Sequence, residues 1–450
     1  MDRRHFIRLA AGGAAAGASA IASGARAPKR RPNFIIFLAD DLGYGDLGCF
    51  DHPVIQTPNL DRFAGEGVRL TSCYSACAVC SPSRSAIQTG RTPHRNGVFT
   101  WIPADSDIHL RESEITIASL LSDAGYATCH VGKWHLNGKF NSSEQPQPSE
   151  HGYDHWLATQ NNAAPSHKNP VNFVRNGEEV GPLEGFSATL IAEEATRWLE
   201  SEWDGEQPFF LTIWTHEPHA PIESDPRFMG LYPGIDDEGQ VQHHANVTQI
   251  DHSFGMVMDA LERQGLTDDT FVMFTSDNGP AGDGKKGRAR GSAGPLRGRK
   301  GSLYEGGIRV PGIVRWPGNI TPGTQSDEPV IGSDILTTLC AITGITPPQD
   351  RPIDGANMLP ALSGRRVRRD IPLYWRWEGT GGPKLALRQG DWKLLSALDY
   401  TGLALYNLRD DIGETTNLAD ASPKRLNAMK RTLTDLNEEV QAEGPDWWMG

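Results

Sequence analysis

The sequence predicts an α/β protein with a large, mainly parallel sheet sandwiched by helices, then a smaller antiparallel sheet and helix at the carboxyl end. Three observations carry this. Short apolar runs alternate with helical stretches along the main part of the chain, the pattern of parallel strands joined by crossover helices. Most of those runs have no polar face, as strands covered on both sides require. After about residue 365 the texture changes to closely spaced short strands with Gly/Asp turns such as Gly390-Asp391. With 450 residues, 38% of them hydrophobic, the chain can bury a core large enough for a main domain over residues 32–364 and a subdomain over 365–450.

Taken in order, the elements begin after an amino-terminal segment that does not belong to the fold. Arg3-Arg4 precede His5-Phe6-Ile7, a mild Ala/Gly run follows from Leu9 to Ser23, and Ala25-Arg26-Ala27 offers small residues for cleavage. This reads as an export signal over residues 1–27, and the paired arginines predict the twin-arginine route, to the periplasm in a bacterium. The apolar run is too short and too weak for a spanning helix, and no other stretch could cross a membrane.

Phe34–Leu38, Ala127–Val131, Phe209–Trp214 and Phe271–Thr275 are the predicted strands of the main sheet. Glu114–Ala124, Thr189–Glu202 and Val247–Gln264 carry apolar residues at helical spacing. Each strand runs into charged or metal-binding residue types: Asp40-Asp41, Lys133-Trp134-His135, His216, and Asp277-Asn278. Open α/β sheets bind ligands beyond the carboxyl ends of their strands, so these ends can converge on one site. In the subdomain, Ile371–Trp377, Lys384–Arg388, Trp392–Ser396 and Leu403–Asn407 read as antiparallel strands, followed by a helix over Pro423–Glu439. Trp375, Trp377 and Trp392 are expected in its core or interface.

A formal net charge of −13 argues against nucleic-acid binding, which needs a basic face. The six cysteines could pair in an oxidising compartment, but the sequence assigns no pairs among Cys49, Cys73, Cys77, Cys129 and Cys340. Cys73, Cys77 and Cys80 have the CxxxCxxC spacing of radical enzymes with an iron–sulfur cluster, and Cys77 and Cys80 alone form a CxxC. No second CxxC completes a zinc site. The radical enzymes are cytosolic as a rule, against the export signal. Neither alternative accounts for the residues after Cys80. There Ser81 can cap a helix, Pro82 suits its first turn, and Thr89-Gly90 can end it. Cys80 would then sit at the positive end of a helix dipole, with Arg84 one turn later, an arrangement suited to a tetrahedral oxyanion ester.

Cys80-Ser81-Pro82-Ser83-Arg84 followed by Thr89-Gly90-Arg91 resembles the signature of the type I sulfatases of the alkaline phosphatase superfamily. The likeness continues through Asp40–Asp46, Gly132-Lys133-Trp134-His135, Thr275–Gly279, Lys300–Gly307, Gly390–Lys393 and Leu405–Leu408. It spans almost all of the chain after the signal segment, in matching order and spacing. It implies hydrolysis of a sulfate monoester by Cys80 after its oxidation to formylglycine. One hydroxyl of the hydrated aldehyde attacks sulfur and releases the alcohol, and the other then expels sulfate. Such an enzyme needs a maturation enzyme as partner.

Asp40, Asp41, Asp277 and Asn278 offer only hard oxygen ligands, which favours calcium or magnesium over zinc. The resemblance makes them the metal site and favours calcium. It also implies His135 as base, Lys133, Arg84 and Lys300 as the charges that neutralise sulfate, and His216 facing the ester oxygen. The basic, Gly-rich loop Gly282–Arg299 is expected to be a solvated rim of an anionic pocket, with Arg299 standing where similar enzymes often have glycine.

Asn161, Asn162 and His167, in a polar insertion between the strands, and His219 are candidate substrate contacts. The stretch from Asn161 to Gly177 is similar to sulfatases acting on N-acetylgalactosamine or galactose sulfates, which implies a sulfated saccharide as substrate. A phosphomonoester or phosphonate hydrolase is the alternative within the superfamily, and an inactive carbohydrate-binding homologue the alternative outside catalysis. Cys80 in this signature and the oxygen-only ligand set weigh against the first. The complete residue set weighs against the second. The sequence leaves the oligomeric state open.

Overall fold

Asn33–Ala39, a run with no polar face to turn to water, lies at the centre of the main sheet, every residue buried. The computed structural model describes residues 31–444, so the predicted export signal lies outside the described residues. Among these, eleven strands form the main sheet: β1 (Asn33–Ala39), β2 (Val68–Tyr74), β3 (Ala127–Lys133), β4 (His155–Thr159), β5 (Val174–Arg175), β6 (Glu178–Glu179), β7 (Phe209–Trp214), β8 (Thr270–Ser276), β9 (Arg309–Arg315), β10 (Thr324–Ser326) and β11 (Val330–Ile331). Their order is β10-β2-β9-β8-β1-β7-β3-β4-β5-β6, with β11 also on β2.

The strands β8, β1, β7, β3 and β4 are mutually parallel. Strand β9 runs against both β8 and β2, so β2 points the same way as β8. The carboxyl ends of these six parallel strands therefore share one edge of the sheet. Two apolar layers cover its faces, one built on Phe34, Ile36 and Leu38 and the other on Ile35, Phe37 and Ala39. Alternate side chains of β1 thus feed opposite layers, as strand geometry demands.

The predicted helices are present with shifted ends. The first runs Ile117–Asp123 because a Thr116–Ser119 capping box sets its start. The second is Ser187–Arg197, continued by a π-helical turn over Trp198–Glu202. The third begins earlier than its apolar pattern suggests, at Glu238, where the Asp237 side chain accepts from the Gln240 N–H. Past its first turn the buried face is largely polar, with Gln242, His243, His244 and Asn246, so the apolar period misses it.

The four short strands of the subdomain, β12 (Leu373–Arg376), β13 (Leu385–Gln389), β14 (Trp392–Ser396) and β15 (Ala404–Asn407), form an antiparallel sheet in sequence order. The helix Pro423–Ala442 covers one face, packing Met429, Leu433 and Leu436 on Leu385, Leu387 and Leu394. The other face docks Trp375, Ala386 and Leu395 on Tyr74, Ala76 and Ala86 of the main domain. Trp375 is wholly buried, and its indole N–H donates to the Ser75 carbonyl. Trp392 packs at the helix side of the sheet. Trp377 is only partly buried and edges a surface cleft.

All six cysteines are free thiols. No helix among the described residues is long and apolar enough to cross a membrane.

Candidate active site

The helix Cys80–Thr89 starts at the cysteine itself, with Val79 extended as its N-cap and no capping side chain. The expected Ser81 cap does not form. Ser81 Oγ instead accepts from the Ile102 N–H, and the Ile102 carbonyl accepts a hydrogen bond from His135 Nε2–H. The helix ends at Gly90 in the left-handed region, as predicted. Gly301 N–H donates to the Ala78 carbonyl, which brings Lys300 to the helix start.

Around this helix the sheet edge delivers the other groups. Asp40 and Asp41 follow β1, Lys133 ends β3, Asn161 and Asn162 follow β4, His219 follows β7, and Asp277 and Asn278 follow β8. A pocket of about 310 Å³ is lined by Val79, Cys80, Trp101, His135, Asn161, Asn162, His219 and Lys300. Trp101 and Val79 were not singled out by sequence. Trp101 lies in a loop without secondary structure and carries no motif.

Charge is tightly paired at the pocket floor. Lys133 Nζ lies 2.6 Å from Asp40 Oδ2 and 3.3 Å from Asn162 Oδ1. Arg84 donates to Asp277 Oδ2 through both Nε and Nη2 and to the Lys133 carbonyl, while its guanidinium lies over the Trp214 ring. Arg84 is thus spent on Asp277 and does not line the pocket. Lys300 Nζ reaches Asp41 Oδ1 at 2.5 Å. Burial alone would lower the Lys300 ammonium, but the surrounding acidic groups, Asp41 foremost with Asp40 and Asp277, together outweigh it and hold the group charged.

The acidic cluster fits a hard cation. Asp40 Oδ1, Asp41 Oδ2 and Asn278 Oδ1 are buried and accept no hydrogen bond. Leaving three such oxygens unmatched is costly unless a cation takes them. Burial and the neighbouring Asp40 push the Asp277 carboxyl up to about 7, because three carboxylates share one dry site. Asp40 itself is held well below the usual carboxylate range. Burial would raise it, but Lys133, His219 and Arg84 prevail. Asp277 is oriented by Arg84 and by the Asp41 N–H, so of the four predicted ligands it is the most committed elsewhere. His219 joins Asp40 and Asp41 as the third potential ligand in reach.

The histidines divide by burial. His135 has one nitrogen on Ile102 and the other, Nδ1, buried without a partner in the pocket. Its φ of 57° is left-handed, a strained conformation for a side chain of this size. Burial, then Lys133 and Arg84, keep it neutral. His216 departs from expectation. It is wholly buried, with Nδ1 held by Ser187 Oγ at 2.6 Å and Nε2 by Thr159 Oγ1 at 2.7 Å, so neither nitrogen faces the pocket. His219 stands there in its place, its Nε2 3.6 Å from Asp41 Oδ2. His167 is also wholly buried, beside Asn246 and Glu217, and does not line the pocket.

Burial pushes the Cys80 thiol up, against the pull of Lys133 and Lys300. Position at a helix amino terminus therefore does not make it a thiolate. The basic loop Gly282–Arg299 is not a free rim either. Arg288 pairs with Glu223 and Glu238, Arg290 with Asp237, and Arg299 donates to the carbonyls of Ala281, Gly282 and Gly291.

The sulfatase family model matches residues 32–345, and a model described as N-sulphoglucosamine sulphohydrolase, C-terminal, matches residues 299–442. Human N-acetylgalactosamine-6-sulfatase is 34% identical, over 94% of this chain and 88% of its own. The N-acetylgalactosamine-6-O-sulfatase of Bacteroides thetaiotaomicron is 29% identical, over 92% and 93% respectively. Among solved structures, Ps i-CgsB in complex with k-i-k-neocarrahexaose superposes with a TM-score of 0.82 at 27% identity, covering 92% of this chain and 94% of that one. A match over most of the chain, across the span that contains this pocket, places the protein in the sulfatase family, as a sulfuric ester hydrolase.

Proposed function

We propose that the enzyme removes sulfate from a sugar at the end of a saccharide, using residue 80 as formylglycine and calcium as its metal. The observation that carries this is the pocket itself, where Cys80 sits at a helix start between neutral His135, cationic Lys300 and the unmatched oxygens of Asp40, Asp41 and Asn278. Oxidised to formylglycine and hydrated, residue 80 supplies one hydroxyl to attack sulfur and another to expel sulfate. A calcium ion held by Asp40, Asp41, Asp277 and Asn278 would polarise a sulfate oxygen.

The chain's own residues do the rest. His135 Nε2–H donates a hydrogen bond to the Ile102 carbonyl, which leaves Nδ1 as the acceptor nitrogen toward residue 80. Lys300 supplies positive charge against the sulfate oxygens. His219, and not His216, stands where it can meet the leaving alcohol; its Nδ1–H is held by the Ala220 carbonyl, so it delivers a proton from Nε2 only as the imidazolium. Asn161 and Asn162 contact the sugar. Support for a saccharide comes from relatives named for N-acetylgalactosamine 6-sulfate and from a structural neighbour solved with a hexaose. The Arg3-Arg4 segment supports export by the twin-arginine route after maturation in the cytoplasm.

Mass spectrometry of the peptide containing residue 80, from protein co-expressed with a maturation enzyme, is expected to show the aldehyde in place of the thiol. Fully active protein with an unmodified Cys80 refutes the nucleophile. Sulfate release from a panel of sulfated mono- and disaccharides and aryl sulfates tests the substrate, and cleavage of aryl sulfates alone refutes the saccharide.

A further inference from the structure

Beside the catalytic pocket lies a second, larger cleft of about 620 Å³, lined by Phe99, Trp101, Trp377, Glu378, Thr380 and Gln441 among others. Trp101 belongs to both. Its side chain is 48% exposed, unusual for so large an apolar group. The cleft is built between domains. Phe99 and Trp101 come from the loop after Pro93–Asn96, a short helix that follows the Cys80 helix, Trp377 to Thr380 from the β12–β13 connection, and Gln441 from the last helix.

We infer that this cleft binds the sugar unit next to the sulfated one, so that the carboxy-terminal subdomain measures the length of the saccharide. The inference rests on the saccharide reading of the pocket. Aromatic faces shed ordered water when they meet the apolar face of a pyranose, while the ring hydroxyls need polar partners at its edge. The cleft has both, with Trp101 and Trp377 for the faces and Glu378, Thr380 and Gln441 for the hydroxyls. The indole N–H of Trp377 is buried and has no hydrogen-bond partner, an unmatched donor in the wall of the cleft. Lys384 Nζ holds the Gly379 and Gly381 carbonyls, which ties down the loop that carries this wall. Another large depression, around Lys139, Phe140 and Asn172, shares no lining residue with the catalytic pocket, so a chain leaving that pocket meets the aromatic cleft first.

Two variants test this. Gln441→Trp fills the cleft from an exposed helix position, and Trp377→Ala removes one stacking face; Trp101 stays intact because it also lines the catalytic pocket. The substrates are 4-nitrocatechol sulfate, free N-acetylgalactosamine 6-sulfate, and a tetrasaccharide with that sugar at its non-reducing end. In the wild type kcat/KM is expected to be at least tenfold higher for the tetrasaccharide than for the free sugar, through a lower KM. Both variants are expected to remove that advantage while leaving the two smaller substrates within about twofold. Wild-type enzyme that cleaves both sugars equally, or a Gln441→Trp variant that keeps the tetrasaccharide advantage, overturns the cleft and leaves the saccharide reading standing. Wild-type enzyme that cleaves only the aryl sulfate overturns both. Should Trp377→Ala also slow the aryl ester, by disturbing the neighbouring Gly301 and Lys300, Gln441→Trp decides.

Discussion

His216 and His219 sit in one loop after β7, yet their surroundings assign them opposite work. His216 is clamped between Ser187 and Thr159 in the interior, whereas His219 opens onto the pocket. Replacing His219 with Ala is expected to lower kcat/KM by about 10²-fold or more, the usual loss for a positioned acid, with little change in thermal stability. His216→Ala is expected to cost roughly 1–3 kcal/mol through two unmatched hydroxyls, read by chemical denaturation. The reverse pattern in the two variants sinks the assignment. The same scale governs the metal. Removing the metal, calcium in the proposed reading, with a chelator should abolish sulfate release and lower the melting temperature, since nothing then offsets the crowding of Asp40, Asp41 and Asp277. Calcium should restore both, and magnesium should restore less; equal rescue by magnesium refutes the preference for calcium.

Gly132 shows how a strand end positions chemistry. Its φ is 108°, and a Cβ there would meet the Trp214 carbonyl oxygen at 1.9 Å. Only glycine lets β3 lie this close to β7 while turning Lys133 onto Asp40. Gly132→Ala should therefore destabilise the fold by about 1–3 kcal/mol and reduce kcat through a displaced Lys133, measured by thermal unfolding and by rate. A variant with wild-type stability and rate would show that the strand can shift freely. The helix that carries Cys80 makes a complementary point. Its start and its Gly90 stop follow from local residue types, but Ser81 serves a distant segment, Ile102, instead of its own helix. Local chemistry allowed the cap, and a longer-range partner won.

Across the whole molecule, the two sheets are joined by a buried charge cluster; Glu305 and Lys393 each lie in a sequence motif, but neither motif announces that they pair. Lys393 of β14 lies 2.8 Å from Glu305 and 2.9 Å from Glu414, while Arg309 and Tyr74 of the main domain also meet Glu305. Burial would raise the Glu305 carboxyl, but Lys393, Arg309 and Arg388 outweigh it and hold it at about 2. That lies below an ordinary unfolded glutamate near 4.3, so its contribution is present above about pH 4 and is lost as pH falls toward 2. Wild type should therefore exceed Glu305→Gln in stability at neutral pH, with the gap closing below about pH 4. A gap independent of pH would show that the cluster stabilises by packing and not by charge.

The sequence alone determined the α/β class, the strands that end in Asp40-Asp41, Lys133, and Asp277-Asn278, the antiparallel subdomain, and the pocket identity of Cys80, His135 and Lys300. These follow from local pattern and from motifs whose spacing is held along the chain. Tertiary structure decided which groups face a ligand. It spent Arg84 on Asp277, enclosed His216 and His167, pinned the basic loop to Glu223, Asp237 and Glu238, and brought His219 and Trp101 to the pocket. The physical reason is that direction and burial depend on partners remote in sequence. A residue type states what chemistry is possible, and packing determines which of its atoms is left free to perform it.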